Sequence, residues 1–306
     1  MTSRQRVLKV LNGEIPDRVP RLLYGAALGF YNQTTIEFFR EKAGTEKPED
    51  AFEMDIRGVF PELIKEKVLP HKLSEFQYEN LDEKIERLHE QGFAVSAYGY
   101  CHGIFEHCWG VYGFETVLSD FILNPDKIHI ILDEITDNFA KVAAQLASFD
   151  IDILILGDDV GAQKSMIMSP EIWRTFLKPR LATIINSAKK IKSGKFVFYH
   201  SDGYIEPIIP DLIEIGVDIL NPIQPECMDP AKLKREYGKD LVFFGTVGVQ
   251  STLPHGSAED VRKEVKERIE TVGKDGGLIL SPTHLINPDV PWENIVAFNQ
   301  WKTSPD

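Results

Sequence analysis

Residues 152–159 read Asp152-Ile153-Leu154-Ile155-Leu156-Gly157-Asp158-Asp159, and this stretch decides the fold. A short, unbroken apolar run ends in a glycine and two carboxylates. A strand with one wet face would alternate apolar and polar residues; a strand covered on both faces would not. Ser169-Pro170-Glu171 then opens a helix, with a serine cap, proline at the first helical position and an acid in the first turn. That helix is expected to run towards Lys192 and to bend at Pro179. The pattern recurs downstream. Residues 195–199 lead into His200-Ser201-Asp202-Gly203, residues 218–220 into Asn221-Pro222 and residues 241–244 into Gly245, while residues 278–280 form the last such run. Helices are expected at residues 207–215, 230–237, 257–272 and 292–301.

Upstream the same reading places strands at residues 19–27, 54–60 and 94–100. Helices fall at residues 6–12, 34–42, 81–91, 106–113 and 125–149, and the polar stretch 65–80 shows no clear strand content. Eight short strands, most followed by a helix, point to parallel βα units. No Gly-x-Gly-x-x-Gly turn follows an early strand, which argues against an open dinucleotide-binding sheet. The expected fold is α/β: a (β/α)8 TIM barrel, one domain over residues 1–306, with residues 1–18 as a leading helix and turn.

The composition narrows the class of function. In a chain of 306 residues, 43% hydrophobic and 26% charged, a large core can form without disulfides or a structural metal. Lys and Arg number 34 against 47 Asp and Glu, a net charge of −13. Such a surface repels phosphate backbones, and no local basic patch offsets it, so no nucleic-acid partner is expected. Cys101, Cys108 and Cys227 are too few for a disulfide framework and fit a reducing, cytoplasmic setting. The polar, basic start does not resemble a signal peptide. No apolar run approaches the ~18 residues of a membrane span.

In a barrel the chemistry lies at the C-terminal ends of the strands. Those ends carry Tyr24, then Tyr100 and His102, then Asp158 and Asp159, then His200 and Asp202, then Asn221, Gln224, Glu226 and Cys227, then His284 and Asn287. His200, Asp202, Glu226, Cys227 and His284 are candidate metal ligands, since imidazole, carboxylate and thiolate all bind zinc and three protein donors leave a position open. A single strand-end histidine is otherwise an ordinary hydrogen-bonding group. Neighbouring side chains on extended backbone point opposite ways, so one of Asp158 and Asp159 is expected to face the site. Asp55, near the start of its strand among Phe52, Met54 and Ile56, must be paired or functional; a salt bridge to Arg57 or Arg18 is the plain alternative. Tyr24, Tyr100, His102, Gln224 and Asn287 are candidate substrate contacts. Cys108 is expected in the core. The aromatic residues from Tyr98 to Tyr112 read as packing before they read as a ligand wall.

Several motifs together resemble the uroporphyrinogen decarboxylase superfamily. They are Arg4-Gln5-Arg6-Val7-Leu8 with Pro16-Asp17-Arg18-Val19-Pro20, Gly157-Asp158-Asp159-Val160-Gly161, His200-Ser201-Asp202-Gly203, Asn221-Pro222-Ile223-Gln224-Pro225 and Pro288-Asp289-Val290-Pro291. The resemblance implies a (β/α)8 barrel and offers two activities. True decarboxylases of the family use an Asp on the second strand, where Asp55 stands, and hold a tetrapyrrole through a Gln-Ala-Gly-Arg motif. Here the matching stretch reads Arg21-Leu22-Leu23-Tyr24-Gly25-Ala26, so that arginine motif is missing. The zinc-dependent methyltransferases of the family work with corrinoid proteins and bind zinc through His-x-Cys and a later Cys. Here the matching positions are His200, Asp202 and His284, a harder set suited to an ether or alcohol oxygen.

The resemblance therefore implies a methyltransferase-like enzyme using zinc and a corrinoid carried by a separate protein, with Asp158 or Asp159 as acid/base. The alternatives are a metal-free decarboxylase or lyase using Asp55 and His284, and a non-catalytic ligand-binding barrel. A homodimer is left open, and no stripe of the sequence marks its face.

Overall fold

A computed structural model describes residues 1–64, 76–99, 103–192 and 194–300. Among the described residues nine strands are present: β1 (Ile56–Val59), β2 (Glu62–Leu63), β3 (Phe76–Gln77), β4 (Ala94–Tyr98), β5 (Ile153–Gly157), β6 (Phe196–His200), β7 (Ile219–Asn221), β8 (Val242–Val247) and β9 (Leu278–Pro282). Seven of them form one sheet in the order β1-β4-β5-β6-β7-β8-β9, while β2 and β3 pair as a separate antiparallel ribbon. The β5–β6, β7–β8 and β8–β9 registers are parallel. Strands β5 to β9 are buried almost throughout, which is why their sequences are unbroken apolar runs. The fold is α/β with a parallel seven-stranded sheet, as in a TIM-like barrel.

The first of the eight expected strands, residues 19–27, is not one. Pro20 to Leu22 touches β9 through a single parallel bridge, with Leu22 N–H donating to the Leu280 carbonyl (3.1 Å) and Leu280 N–H to that of Pro20 (2.8 Å). The chain then turns into a short helix, α2 (Tyr24–Leu28), closed by Gly29 at φ 82°. A short buried apolar run does not by itself distinguish strand from helix, and the left-handed glycine after Leu28 decides for helix.

The chain falls into two compact units whose segments interleave along the sequence. One comprises residues 1–58, 87–96 and 219–306. It contains α1 (Ser3–Leu11), α2, α3 (Gln33–Ala43), α4 (Pro48–Ala51), β7 to β9, α12 (Pro230–Tyr237), α13 (Thr252–His255), α14 (Ala258–Thr271) and α15 (Trp292–Asn299). Helix α1 opens on a capping box between Thr2 and Gln5, and α14 on one between Ser257 and Asp260.

The other unit comprises residues 59–86 and 97–218. Its helices are α6 (Ile104–Tyr112), α7 (Phe114–Leu123), α8 (Pro125–Ser148), α9 (Pro170–Phe176), α10 (Lys178–Ile191) and α11 (Ile209–Glu214); α5 (Leu81–Glu90) spans the boundary. Helix α8 packs along α10, burying Leu132, Phe139 and Leu146 on one side and Leu181, Ile184 and Ala188 on the other. The helix expected over 169–192 is two helices, and the break falls at Leu177, before Pro179. Proline lacks the N–H that would reach the Thr175 carbonyl and its ring crowds that oxygen, so α9 stops and Pro179 opens α10. Among the described residues no helix is long and apolar enough to cross a membrane.

Candidate functional site

Within the unit that holds β5 and β6, Gly157 lies in register with His200. A Cβ at Gly157 would stand 3.0 Å from that of His200, so glycine lets the histidine-bearing strand end sit close. His200 is the last residue of β6, and its ring is only 15% exposed. Its Nε2 lies 3.7 Å from Asp159 Oδ1 and 3.9 Å from Asp202 Oδ1. Asp159 Oδ1 also accepts the Asp202 N–H at 2.8 Å, which ties the loop after β5 to the loop after β6. The result is an imidazole at a strand end with two part-exposed carboxylates beside it.

The neighbouring Asp158 points the other way. It is buried, with Oδ2 accepting the Phe105 N–H (2.9 Å) and Oδ1 the Glu106 N–H (3.0 Å). These are orphan donors at the start of α6, whose N-cap Gly103 has no side chain to satisfy them. A Cβ at Gly103 would sit 2.0 Å from the Asp158 carboxyl carbon, so the cap requires glycine there. Burial, and then the charge of Glu106, push the Asp158 carboxyl well above its usual range. Of the adjacent pair, Asp159 stands beside His200 and Asp158 serves the helix.

Glu106 escaped the sequence reading. Its Oε2 accepts the Asp159 N–H at 3.2 Å, and burial followed by the charge of Asp159 raises its carboxyl. The signal was an acid in the first turn of a helix that follows a strand, which ordinarily means no more than a favourable dipole contact.

In the other unit, Tyr24 is buried at the start of α2, with its ring 5.8 Å from that of His284. Gln224 is buried, and its carbonyl accepts the N–H groups of Cys227 and Met228 in a tight turn. Asn287 is exposed in a turn closed by the Val290 N–H. Tyr100 and His102 lie outside the described residues. Cys108 is buried, and burial lifts its thiol to about 12.

Of the expected ligands, His200 and Asp202 stand together in the unit that holds β5 and β6, with Asp202 Oδ1 3.9 Å from His200 Nε2, while His284, Glu226 and Cys227 belong to the other. Glu226 Oε1 accepts the Ser251 hydroxyl at 2.5 Å and lies where a Cβ at Gly248 would be, while Cys227 is held in the turn under Gln224.

Asp55 is also set apart from the strand ends. It precedes β1, on the N-terminal side where barrels keep stabilising residues. It is fully buried and accepts from Ser3 Oγ (2.8 Å), Arg6 Nη1 (2.6 Å), Arg18 Nη1 (2.7 Å) and the Arg21 N–H (2.9 Å). The plain expectation of a salt bridge to Arg18 holds. The carboxylate that the decarboxylase alternative would use fastens α1 and the Arg18–Arg21 segment.

Residues 67–302 match the uroporphyrinogen decarboxylase (URO-D) family. The chain belongs to the uroporphyrinogen decarboxylase family. The match spans β3 to β9 and so includes His200, Asp202 and His284. A uroporphyrinogen decarboxylase of Hydrogenobaculum sp. (strain Y04AAS1) is 24% identical over 175 residues, which are 57% of this chain. The aligned part is 48% of that protein, about half its length. Among solved structures, a methyltransferase from Methanosarcina mazei superposes with a TM-score of 0.69 at 19% identity, covering 97% of each chain. Xylanase 10B from Thermotoga petrophila RKU-1, in complex with xylobiose, superposes at 0.50 with 11% identity, over 92% of this chain and 85% of that one. At such identities the two structures speak to fold alone. Members of the uroporphyrinogen decarboxylase family are enzymes, decarboxylases or methyltransferases, and the described site has to be read between those two.

Proposed function

We propose that this chain is a methyltransferase-like enzyme. It would move a methyl group between a small methylated or methoxylated compound and a corrinoid carried by a separate protein. The observation that carries the reading is His200 at the end of β6 with the Asp202 carboxylate 3.9 Å from its Nε2. With His284 as the third donor that the family pattern suggests, two imidazole nitrogens and a carboxylate oxygen would fit a borderline divalent cation such as zinc, and three protein donors leave a position for substrate. When bound, such a cation supplies Lewis-acid polarisation of a substrate oxygen.

The remaining work falls to the chain's own side chains. Asp159 fixes the Asp202 backbone by accepting its N–H, so the Asp202 carboxylate is held by its loop. The Asp159 carboxylate, 38% exposed, is placed to orient a substrate or to accept its proton. The Tyr24 ring packs beside His284 and restrains the tilt of that imidazole.

The test is metal content by mass spectrometry on wild type, His200→Ala and His284→Ala. About one zinc per chain, lost in both variants, supports the site. No metal in any sample, after purification without chelator and with zinc added back, removes it. Methyl transfer from methoxylated compounds to free cobalamin is then the activity to measure.

A second reading draws on the relative from Hydrogenobaculum: decarboxylation of a smaller carboxylated compound without metal, with His284 pairing the substrate carboxylate. It is weakened by Asp55, whose oxygens are already taken by Ser3, Arg6, Arg18 and Arg21. Carbon dioxide release in the presence of a chelator separates the two readings.

A further inference from the structure

The Glu106 carboxylate holds two main-chain donors at once. It accepts the Gly103 N–H at the start of its own helix, and its Oε2 accepts the Asp159 N–H at 3.2 Å. Gly103 is the N-cap of α6 and Glu106 the third helical residue, the spacing at which a glutamate reaches back to cap its own helix. The second bond is no part of that motif. Its donor lies 53 residues further on, in the loop after β5.

Three carboxylates follow one another in this way. Asp158 Oδ1 accepts the Glu106 N–H (3.0 Å), Glu106 Oε2 the Asp159 N–H (3.2 Å) and Asp159 Oδ1 the Asp202 N–H (2.8 Å). Two further bonds run beside them, from the Asp158 N–H to the His200 carbonyl (2.9 Å) and from the Val160 N–H to Ser201 Oγ (3.1 Å). All these residues belong to one unit. The start of α6 is thereby fastened to the loop after β5, and that loop to the loop after β6. The series ends at Asp202, whose carboxylate stands 3.9 Å from His200 Nε2. We propose that Glu106 is a positioning residue of the His200 site: it sets Asp159, and Asp159 sets Asp202. The proposal rests on reading His200 and Asp202 as the reactive pair of groups.

An acid is a costly choice at position 106. Glu106 is half-buried, and burial, followed by the charge of Asp159, opposes its ionisation. Glutamine would avoid that repulsion, but it presents one acceptor and one donor where two N–H groups converge. A carboxylate accepts on both oxygens. Capping α6 calls for an acid in the first turn and does not call for its contact with a second carboxylate. That contact is what a positioning role explains.

Amide hydrogen exchange of the full chain, without metal, tests the geometry. Rates at Asp159 and Asp202 are read relative to the amides of α10 in the same sample, which removes any change in global stability. Glu106→Ala should speed exchange at Asp159 about five- to tenfold, the loss of one hydrogen bond, and exchange at Asp202 in the same direction. Glu106→Gln can turn its carbonyl to Asp159, giving up the bond to Gly103, and should recover most of the loss. Glu115→Ala, an exposed acid in the first turn of α7, should change neither amide.

Zinc affinity, measured by competition with a chelating dye, tests the consequence. Glu106→Ala should weaken binding about tenfold, the low end for a group that acts through another. With Asp159→Ala already in place, Glu106→Ala should add less than about twofold, because its route to Asp202 is gone. Glu106→Ala with both amides still protected overturns the proposal and leaves a helix cap alone. So does a glutamine variant no better than the alanine one, or a full additive loss of zinc affinity in the double variant. If wild type itself binds no zinc while exchange changes as expected, the metal reading falls and the positioning of the two carboxylates by Glu106 stands.

Discussion

Replacing Asp55 decides whether it is a catalytic carboxylate or a structural pin. Its two oxygens receive Arg6 at 2.6 Å, Arg18 at 2.7 and 3.1 Å, Ser3 at 2.8 Å and the Arg21 N–H at 2.9 Å. In Asp55→Asn the shape survives while the charge is lost. One oxygen becomes an amide donor that faces donors, and two guanidinium groups lose their counter-charge. Removing one partner of a buried ion pair costs about 3–5 kcal/mol, so roughly 3 kcal/mol is expected for Asn. Arg6→Ala removes the Asp55 contact and also a bridge to Asp17, whose side chain is 42% exposed. The exposed bridge adds about 0–1 kcal/mol, and Arg18 still covers Asp55, so the cost is about 2–3 kcal/mol. Combining the two changes should cost about 1–2 kcal/mol less than the sum of the single losses, because both remove the same contact. The assay is urea unfolding followed by circular dichroism, together with turnover per folded molecule. Asp55→Asn that unfolds within about 0.5 kcal/mol of wild type yet has lost turnover would refute the structural assignment. It would also restore the decarboxylase reading.

Asp158→Ala leaves the Phe105 and Glu106 N–H groups without acceptors, and a lost cap plus a stranded buried donor comes to about 2–4 kcal/mol by urea unfolding. The Asp158 carboxyl has an ordinary pKa of 3.8 and is raised well above it in the fold, so its contribution is complete below about that pH and is lost as pH rises through the folded value. Asp158→Asn should therefore gain on wild type as pH increases, and parallel stability curves for the two would contradict this. Gly103→Ala puts a methyl group 2.0 Å from the Asp158 carboxyl carbon and should destabilise by about 2 kcal/mol or more, measured in the same way. Cys108, with its thiol buried and lifted to about 12, should resist a thiol reagent at pH 8 in the native state while the half-buried Cys227 reacts; equal rates would place Cys108 wrongly.

The later strands were legible because each is an apolar run stopped by Gly, Asp, Asn or Pro, and burial on both faces leaves no alternation to confuse the pattern. Residues 19–27 carry the same composition, yet the Gly29 conformation and one bridge to Leu280 make most of them a helix start. Helix α7 went unseen because its inner face is slight, with Val117, Asp120 and Phe121 buried while Phe114, Ile122 and Leu123 stay outside. The placement of His200 at the end of its strand, with Asp202 just beyond, could be read from the strand pattern. The choice between Asp158 and Asp159 could not, since it depends on an α6 terminus 52 residues earlier in the chain. Glu226 misled for a related reason. Its direction is set by Ser251, 25 positions away, and no local spacing encodes that.

The cap that Asp158 places on α6 has a consequence for synthesis. Residue 106 leaves the ribosome 52 residues before the carboxylate that will satisfy its N–H. At roughly 5–20 residues per second, that is a delay of about 3–10 s. During it the nascent α6 lacks a terminus fit for burial, and Trp109, Phe114 and Ile122 have left the tunnel with no strand β5 beneath them. The segment richest in outward-facing apolar side chains among the described residues thus has to wait for its anchor. Slowed elongation between residues 106 and 158 should lower the soluble yield of this chain more than slowed elongation after residue 200.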